Sequence, residues 1–281
     1  MKILITGFNG KIGYEVAKMA KEQNLQMICA VRDIERAKEK YGDSYEFVCL
    51  DFSKPETFQG ALLGVDQIFL MYPPRDNIQF ERFIESAKEQ DIKYIVYLSL
   101  KDIQFLPFVH HFKNERLIKK SKIPYTFLRA GYFMQNLNDF LNKEIKERNR
   151  IFVPAGHGKT SFVDARDIAE LAVLSLTNPE KHHNQKYVIT GDESLDFFEV
   201  AKIMSEILNK DIRYTNPSVK EFKEFMIAHH GNEKFINVVV GVHFPTKLGF
   251  AKGINYDFEK LTKRKPTKLR KYIEDFKENW I

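Results

Sequence analysis

The chain has 281 residues, a formal net charge of +6 and 43% hydrophobic residues, a size that suits one large α/β unit plus a smaller lobe with ample material for a core. Its two cysteines, Cys29 and Cys49, fall in apolar runs, which sets aside a disulfide scaffold and fits buried thiols in a reducing compartment. No segment approaches the roughly 20 apolar residues of a membrane span.

Residues 2–6 form a short apolar run that reads as a buried parallel strand. Gly7-Phe8-Asn9-Gly10-Lys11-Ile12-Gly13 follows, and a helical pattern covers 11–23. The glycine spacing is GxxGxxG. A glycine turn between a first strand and a helix lets backbone N–H groups and the helix N-terminus face a pyrophosphate. Residues 27–31 read as the second strand, and Arg32-Asp33 closes it, about 20 residues beyond the turn, where the ribose-recognition residue belongs. A cation there holds a 2′-phosphate and an acid there holds the 2′-hydroxyl. Arg32 therefore favours NADP(H), while Asp33 keeps NAD(H) open.

Strand and helix patterns continue to alternate: helix 34–41, strand 46–50, helix 55–63, strand 67–71, helix 78–90, strand 94–98, helix 110–120 and strand 125–128. Repeated βαβ units imply a Rossmann-type doubly wound parallel sheet. Asp51 and Phe52 end the third strand, where a binding crevice opens outside the strand termini. Tyr72-Pro73-Pro74 break the chain away from the fourth. After Arg129 the alternation loosens. A helix over 133–147 precedes short strands at 151–153 and 161–163, and Asp164 caps a helix to 176. A strand at 186–189, a helix over 197–208, a strand at 212–214 and helices after Pro217 and near the C-terminus complete the pattern. The division expected is 1–150 for nucleotide binding and 151–281 for a smaller α/β substrate lobe, interleaved with the first and packed over its strand ends.

The basic stretch 260–271 reads as a solvated face, because Glu274, Asp275 and Glu278 follow it, so no nucleic-acid partner is expected. Histidines occur in adjacent pairs such as His110-His111, which do not share a helix face, so no metal site is expected. The opening apolar run is too short for a secretory leader, and a cytoplasmic protein is the expectation.

Taken in order, several segments resemble the NmrA-like branch of the atypical short-chain dehydrogenases/reductases. They are Thr6-Gly7 through Gly13, Ala30-Val31-Arg32-Asp33, Asp51-Phe52, Ile123-Pro124-Tyr125-Thr126-Phe127-Leu128-Arg129, Gly131-Tyr132-Phe133-Met134-Gln135-Asn136, Phe162-Val163-Asp164-Ala165-Arg166-Asp167-Ile168-Ala169 and Thr190-Gly191. The resemblance implies an NAD(P)-binding fold with Gly7, Asn9, Gly10, Lys11, Ile12 and Gly13 around the pyrophosphate. Phe8 lies within the same turn. It further implies Arg32 at the 2′-phosphate, Asp51 and Phe52 along the adenine, and Tyr72 and Pro73 near the ribose and nicotinamide. Tyr132, Phe133 and Asn136 would face the substrate side. Members of the branch include quinone reductases, dye-reducing enzymes and nucleotide-binding sensors or regulators.

The wider superfamily uses a Tyr-x-x-x-Lys pair on the helix after the fifth strand. Counting back from Ile123-Pro124-Tyr125-Thr126 puts Pro107 at the tyrosine position and His111 at the lysine position. Ser99 follows the fifth strand, where the superfamily often has a serine, and is a candidate nucleotide contact. Without the pair, an already electrophilic planar acceptor such as a quinone is the fitting substrate. It needs stacking on the dihydronicotinamide and one hydrogen-bond donor. His111, Lys113 and Tyr132 are the candidate donors, His111 because an ordinary histidine titrates near neutrality. Tyr72, Phe105, Phe108, Tyr132 and Phe133 could supply an aromatic pocket, and Asn136 a substrate hydrogen bond. The reading is an NADPH-preferring reductase of a small-molecule acceptor. The alternative is a non-catalytic NAD(P)-binding redox sensor acting through a protein partner.

Overall fold

The computed structural model describes residues 1–73, 75–230 and 232–281. Pro74, part of the expected break after the fourth strand, lies outside the described residues. In chain order the first elements are β1 (Ile3–Ile5), α1 (Lys11–Glu22), β2 (Met27–Val31), α2 (Ile34–Tyr41), β3 (Phe47–Cys49), α3 (Phe58–Leu62), β4 (Gln67–Leu70), α4 (Phe80–Glu89), β5 (Tyr94–Leu100), α5 (His110–Ser121) and β6 (Tyr125–Ala130). There follow β7 (Tyr132–Phe133), α6 (Asn136–Arg148), β8 (Arg150–Ile151), β9 (Thr160–Val163), α7 (Ala165–Thr177), α8 (Pro179–His182) and β10 (Gln185–Ile189). The last are β11 (Ser194–Leu195), α9 (Phe197–Leu208), β12 (Arg213–Tyr214), α10 (Val219–His230), α11 (Glu233–Lys247), α12 (Asp257–Thr262) and α13 (Leu269–Asp275).

The chain divides into two units. One comprises Met1–Ala130 and Ala165–Ile189, the other Gly131–Asp164 and Thr190–Ile281. A single cut after residue 150 does not describe this division. Gly131–Arg150 packs with the second unit, because α6 places Leu137, Leu141 and Ile145 in that unit's core. Ala165–Ile189 returns to the first, because β10 adds in parallel to the free edge of β6.

The first unit is a seven-stranded sheet in the order β10-β6-β5-β4-β1-β2-β3, parallel throughout. The strands are apolar runs because helices cover both faces. On one face Phe58, Leu62, Phe83, Ile84 and Ile118 from α3, α4 and α5 meet Leu4, Ile68, Ile95 and Phe127 in one core cluster. Strand order reverses at β1 and β4, the place where an open α/β sheet forms its binding crevice.

The second unit holds a three-stranded sheet, β11-β9-β7, a two-stranded one, β12-β8, and the remaining helices around its own core. The helix expected from residue 133 starts later, at Asn136. Tyr132 and Phe133 pair instead with Phe162 and Val163 as parallel strands, a distant partnership that outweighs local helical pattern. Helix α9 carries a complete capping box: the Asp196 carboxylate accepts the Glu199 N–H at 2.8 Å and the Glu199 carboxylate accepts the Asp196 N–H at 2.8 Å.

Candidate active site

Thr6 follows β1 and is buried. Its hydroxyl donates to the Phe69 carbonyl at 3.1 Å and accepts the Met71 N–H at 2.8 Å, tying the ends of β1 and β4 together. Gly7 then turns the chain with φ +70°, and a Cβ there would lie 2.7 Å from the Met71 sulfur. The Gly10 N–H donates to the Gly7 carbonyl at 2.9 Å and closes the turn. A Cβ on Gly13 would stand 2.3 Å from that same Gly7 oxygen, so only glycine lets the helix start this close to the turn backbone. Gly10 caps α1 with extended backbone and no side chain in the way. The first turn of a helix has N–H groups with no intrahelical acceptor, and the dipole favours an anion there.

A cavity of about 360 Å³ opens beside this turn, entirely within the first unit. Thr6 through Gly10 form one wall, and Ala30, Val31 and Arg32 another. Leu50, Asp51 and Phe52 come from the end of β3, and Met71, Tyr72 and Pro73 from the end of β4, with Arg75 and Ile78 just beyond. Nine sequence candidates thus meet at one cavity: Gly7, Phe8, Asn9, Gly10, Arg32, Asp51, Phe52, Tyr72 and Pro73.

Side chains divide the labour. Arg32 is exposed at the rim, whereas Asp33 turns away: its carboxylate accepts the Arg36 N–H at 3.0 Å and caps α2. The Asp51 carboxylate accepts the Ser53 N–H at 2.9 Å and the Ser53 hydroxyl at 2.7 Å. These bonds, with Lys54 and Arg32 nearby, hold it below the usual carboxylate range. The rings of Phe8 and Phe52 are occupied elsewhere. Phe8 is fully buried among Tyr14, Tyr41, Tyr45 and Phe47. Phe52 packs on Phe58, Phe80 and Phe83. Tyr72 stacks on His110 with centroids 5.2 Å apart and meets His111 edge-on at 5.9 Å.

Four of the cofactor candidates are not among the cavity-lining residues: Lys11, Ile12, Gly13 and Ser99. Ser99 is buried, and its hydroxyl donates to Glu115 at 2.7 Å, serving the sheet–helix interface. Arg75 and Met71 line the cavity unannounced by any motif.

None of the proposed proton donors is among the cavity-lining residues. The His111 Nδ1 lies 2.8 Å from the Tyr97 hydroxyl, which also accepts from the Asn114 amide at 3.0 Å. Burial pushes His111 down to about 4, so it is neutral at pH 7, contrary to the expectation of titration near neutrality. Lys113 is exposed on the outer side of α5, in a separate groove with Pro107, Phe112 and Arg116. In the second unit, the His243 Nδ1 lies 2.7 Å from the Val239 carbonyl, which can only accept, so Nε2 is bare and accepts the Tyr132 hydroxyl at 2.9 Å. Burial raises Tyr132 well above the usual phenol range and lowers His243 to about 4. Asn136 opens α6, and Phe133 is half-buried in β7. Phe105 and Phe108 are 75% and 81% exposed, which removes them from an aromatic pocket within their unit.

Comparison with known proteins bears directly on this arrangement. The model of the NmrA-like family matches residues 1–273. The chain belongs to the NmrA-like family. The NAD(P)H azoreductase of Xenophilus azovorans is 33% identical to this NmrA-like chain over 232 residues, covering 80% of each. Prestalk A differentiation protein A of Dictyostelium discoideum is 30% identical over 84% of this chain and 79% of its own. Among solved structures, the Citrobacter sp. triphenylmethane reductase complexed with NADP(H) superposes with a TM-score of 0.87 at 26% identity, covering 98% of this chain and 99% of that one. An Escherichia coli NADPH-dependent quinone oxidoreductase shares the fold at a TM-score of 0.87 and 21% identity, with 98% and 99% covered. Among the described residues no helix of this NmrA-like chain is long and apolar enough to cross a membrane.

Proposed function

We propose that this NmrA-like chain is an NADP(H)-dependent oxidoreductase that passes hydride to a planar, electron-poor small molecule of the quinone, azo or triphenylmethane type. The observation that carries the reading is the convergence of the Gly7–Gly10 turn and the exposed Arg32 on one cavity at the switch point of the sheet. The residues fit a 2′-phosphorylated dinucleotide. Gly7 and Gly13 let the turn and the start of α1 close tightly against Met71 and the Gly7 carbonyl, Arg32 supplies a guanidinium, and Asp33 is spent as a helix cap. The activities named for the azoreductase and the triphenylmethane reductase support the acceptor class.

When bound, NADPH supplies the two electrons and one proton as hydride. The chain's own residues hold, orient and shield it. A quinone or azo acceptor also takes a proton, which comes from water in this reading because His111, Lys113 and Tyr132 are each engaged or directed elsewhere, whereas a triphenylmethane cation takes hydride alone. A Tyr/Lys pair has no part in it. The prediction is that His111→Gln and Tyr132→Phe keep kcat within about threefold of wild type. NADPH consumption measured with a benzoquinone, an azo dye and a triphenylmethane dye tests acceptor class and donors together. A thousandfold loss in either variant would restore that residue as proton donor.

A second reading, a nucleotide-dependent regulator without turnover, draws support from the relative named as a differentiation protein. It requires oxidised and reduced cofactor to bind unequally. Tight NADPH binding with no consumption across the three acceptors would establish it in place of the reductase.

A further inference from the structure

We infer that Arg75 is a second phosphate-binding cation of the nucleotide cavity and sets its preference for a 2′-phosphorylated dinucleotide. The inference rests on the NADP(H) reading above and adds a residue that no motif marks. Arg75 lines the same cavity as Arg32 and Asp51, and its side chain is exposed at the opening. The Arg75 N–H donates at 2.9 Å to the carbonyl of Pro73, two residues before it and also lining the cavity. Farther along, the Gln79 N–H donates to the Phe52 carbonyl at 2.8 Å. Beyond Arg75 the segment is therefore tied to Phe52, which lines the cavity.

Charge explains why a second cation is needed. A phosphate monoester carries roughly −1.5 to −2 near neutrality. Arg32 offers +1 but shares the cavity with Asp51, whose carboxylate two Ser53 hydrogen bonds keep ionised. Between them these two lining groups carry no net formal charge. Lys54 acts on Asp51 as well, yet it is not among the lining residues. Arg75 is the lining residue that tips the balance to positive. Its planar guanidinium also presents paired N–H donors to phosphate oxygens.

The test is calorimetric titration of wild type, Arg75→Ala, Arg75→Lys and Arg32→Ala with NADPH, NADH, 2′,5′-ADP and AMP. Arg75→Ala should weaken NADPH and 2′,5′-ADP about tenfold or more and leave NADH and AMP within about twofold. Arg75→Lys should recover part of the loss, since it keeps the charge but not the fork. Equal losses for NADPH and NADH would mean that Arg75 covers the adenosine rather than reads the phosphate, and would overturn the inference. So would an unchanged NADPH affinity. A wild type that prefers NADPH while Arg75→Ala keeps that preference sinks the inference alone; a wild type that binds neither dinucleotide sinks the cofactor reading with it. Unliganded melting temperatures of the variants should match wild type, because the side chain is exposed.

Discussion

Gly13 and Asp33 show how single positions build the turn and the helix beside the cavity. A methyl group on Gly13 would fall 2.3 Å from one backbone oxygen and 2.8 Å from another, those of Gly7 and Thr6, and neither can yield without moving the turn. Gly13→Ala should therefore destabilise the protein by about 1–3 kcal/mol and abolish measurable nucleotide binding. Chemical denaturation and a nucleotide titration check the two effects. Asp33 makes the opposite case. Its carboxylate caps α2, so Asp33→Ala should cost about 1 kcal/mol of stability while leaving the NADPH-to-NADH affinity ratio unchanged. A shift of that ratio toward either dinucleotide would mean that Asp33 contacts the ribose after all.

At the scale of elements, α5 is fastened to the sheet through a buried carboxylate. Glu115 accepts Arg129 Nε at 2.9 Å and Nη2 at 2.6 Å from β6, and the Ser99 hydroxyl at 2.7 Å from β5. Arg129 and Glu115 side chains are 12% and 4% exposed, so solvent screens the pair little. Glu115→Ala would leave the guanidinium buried without its partner, at a cost of about 3–5 kcal/mol. The same helix holds His110 and His111 against Tyr72, so that variant should also weaken nucleotide binding, read in one titration beside the melt. The sequence told most about such elements where local pattern and tertiary need agree. The first six strands and their helices were legible because each is a continuous apolar run bounded by a turn. Helix α11 was not: it carries Gly241 and Pro245 inside, and Val238-Val239-Val240 resembles a strand. Strand β7 was hidden because its partner lies 30 residues away and only pairing makes it extended. In the site, Gly7, Gly10 and Arg32 were legible by spacing. Phe8 and Phe52 announced their place along the cavity but not that their rings turn into the core, since aromatic clusters form from distant segments. Arg75 sits in a connection with no motif to mark it.

Over the whole molecule, burial works against the charge of three histidines, His111 and His182 in the first unit and His243 in the second. His111 in the first and His243 in the second both fall to about 4, below the usual histidine value of about 6.5. As pH drops below about 6.5 the unfolded chain takes up these protons before the folded one does. Their stabilising contribution is complete above that pH, declines toward pH 4 and changes no further below it. For fully buried His243 the loss is on the order of 3 kcal/mol. His243→Gln keeps an acceptor for the Tyr132 hydroxyl and removes the titration, so its melting temperature should fall less than that of wild type between pH 7 and pH 4.5. Parallel curves would show that His243 is not the group responsible.

Cofactor use joins the cavity to the activity, and one experiment reads both. NADPH consumption with a benzoquinone, measured as a function of NADPH for wild type and Arg32→Ala, should give saturable turnover in both. KM for NADPH should rise about tenfold or more in the variant, with kcat nearly unchanged, because Arg32 lies at the cavity rim and in the proposed reading holds the 2′-phosphate without touching the transferred hydride. No turnover by the wild type, or identical saturation curves for the two proteins, would contradict a reductase whose nucleotide is gripped at Arg32.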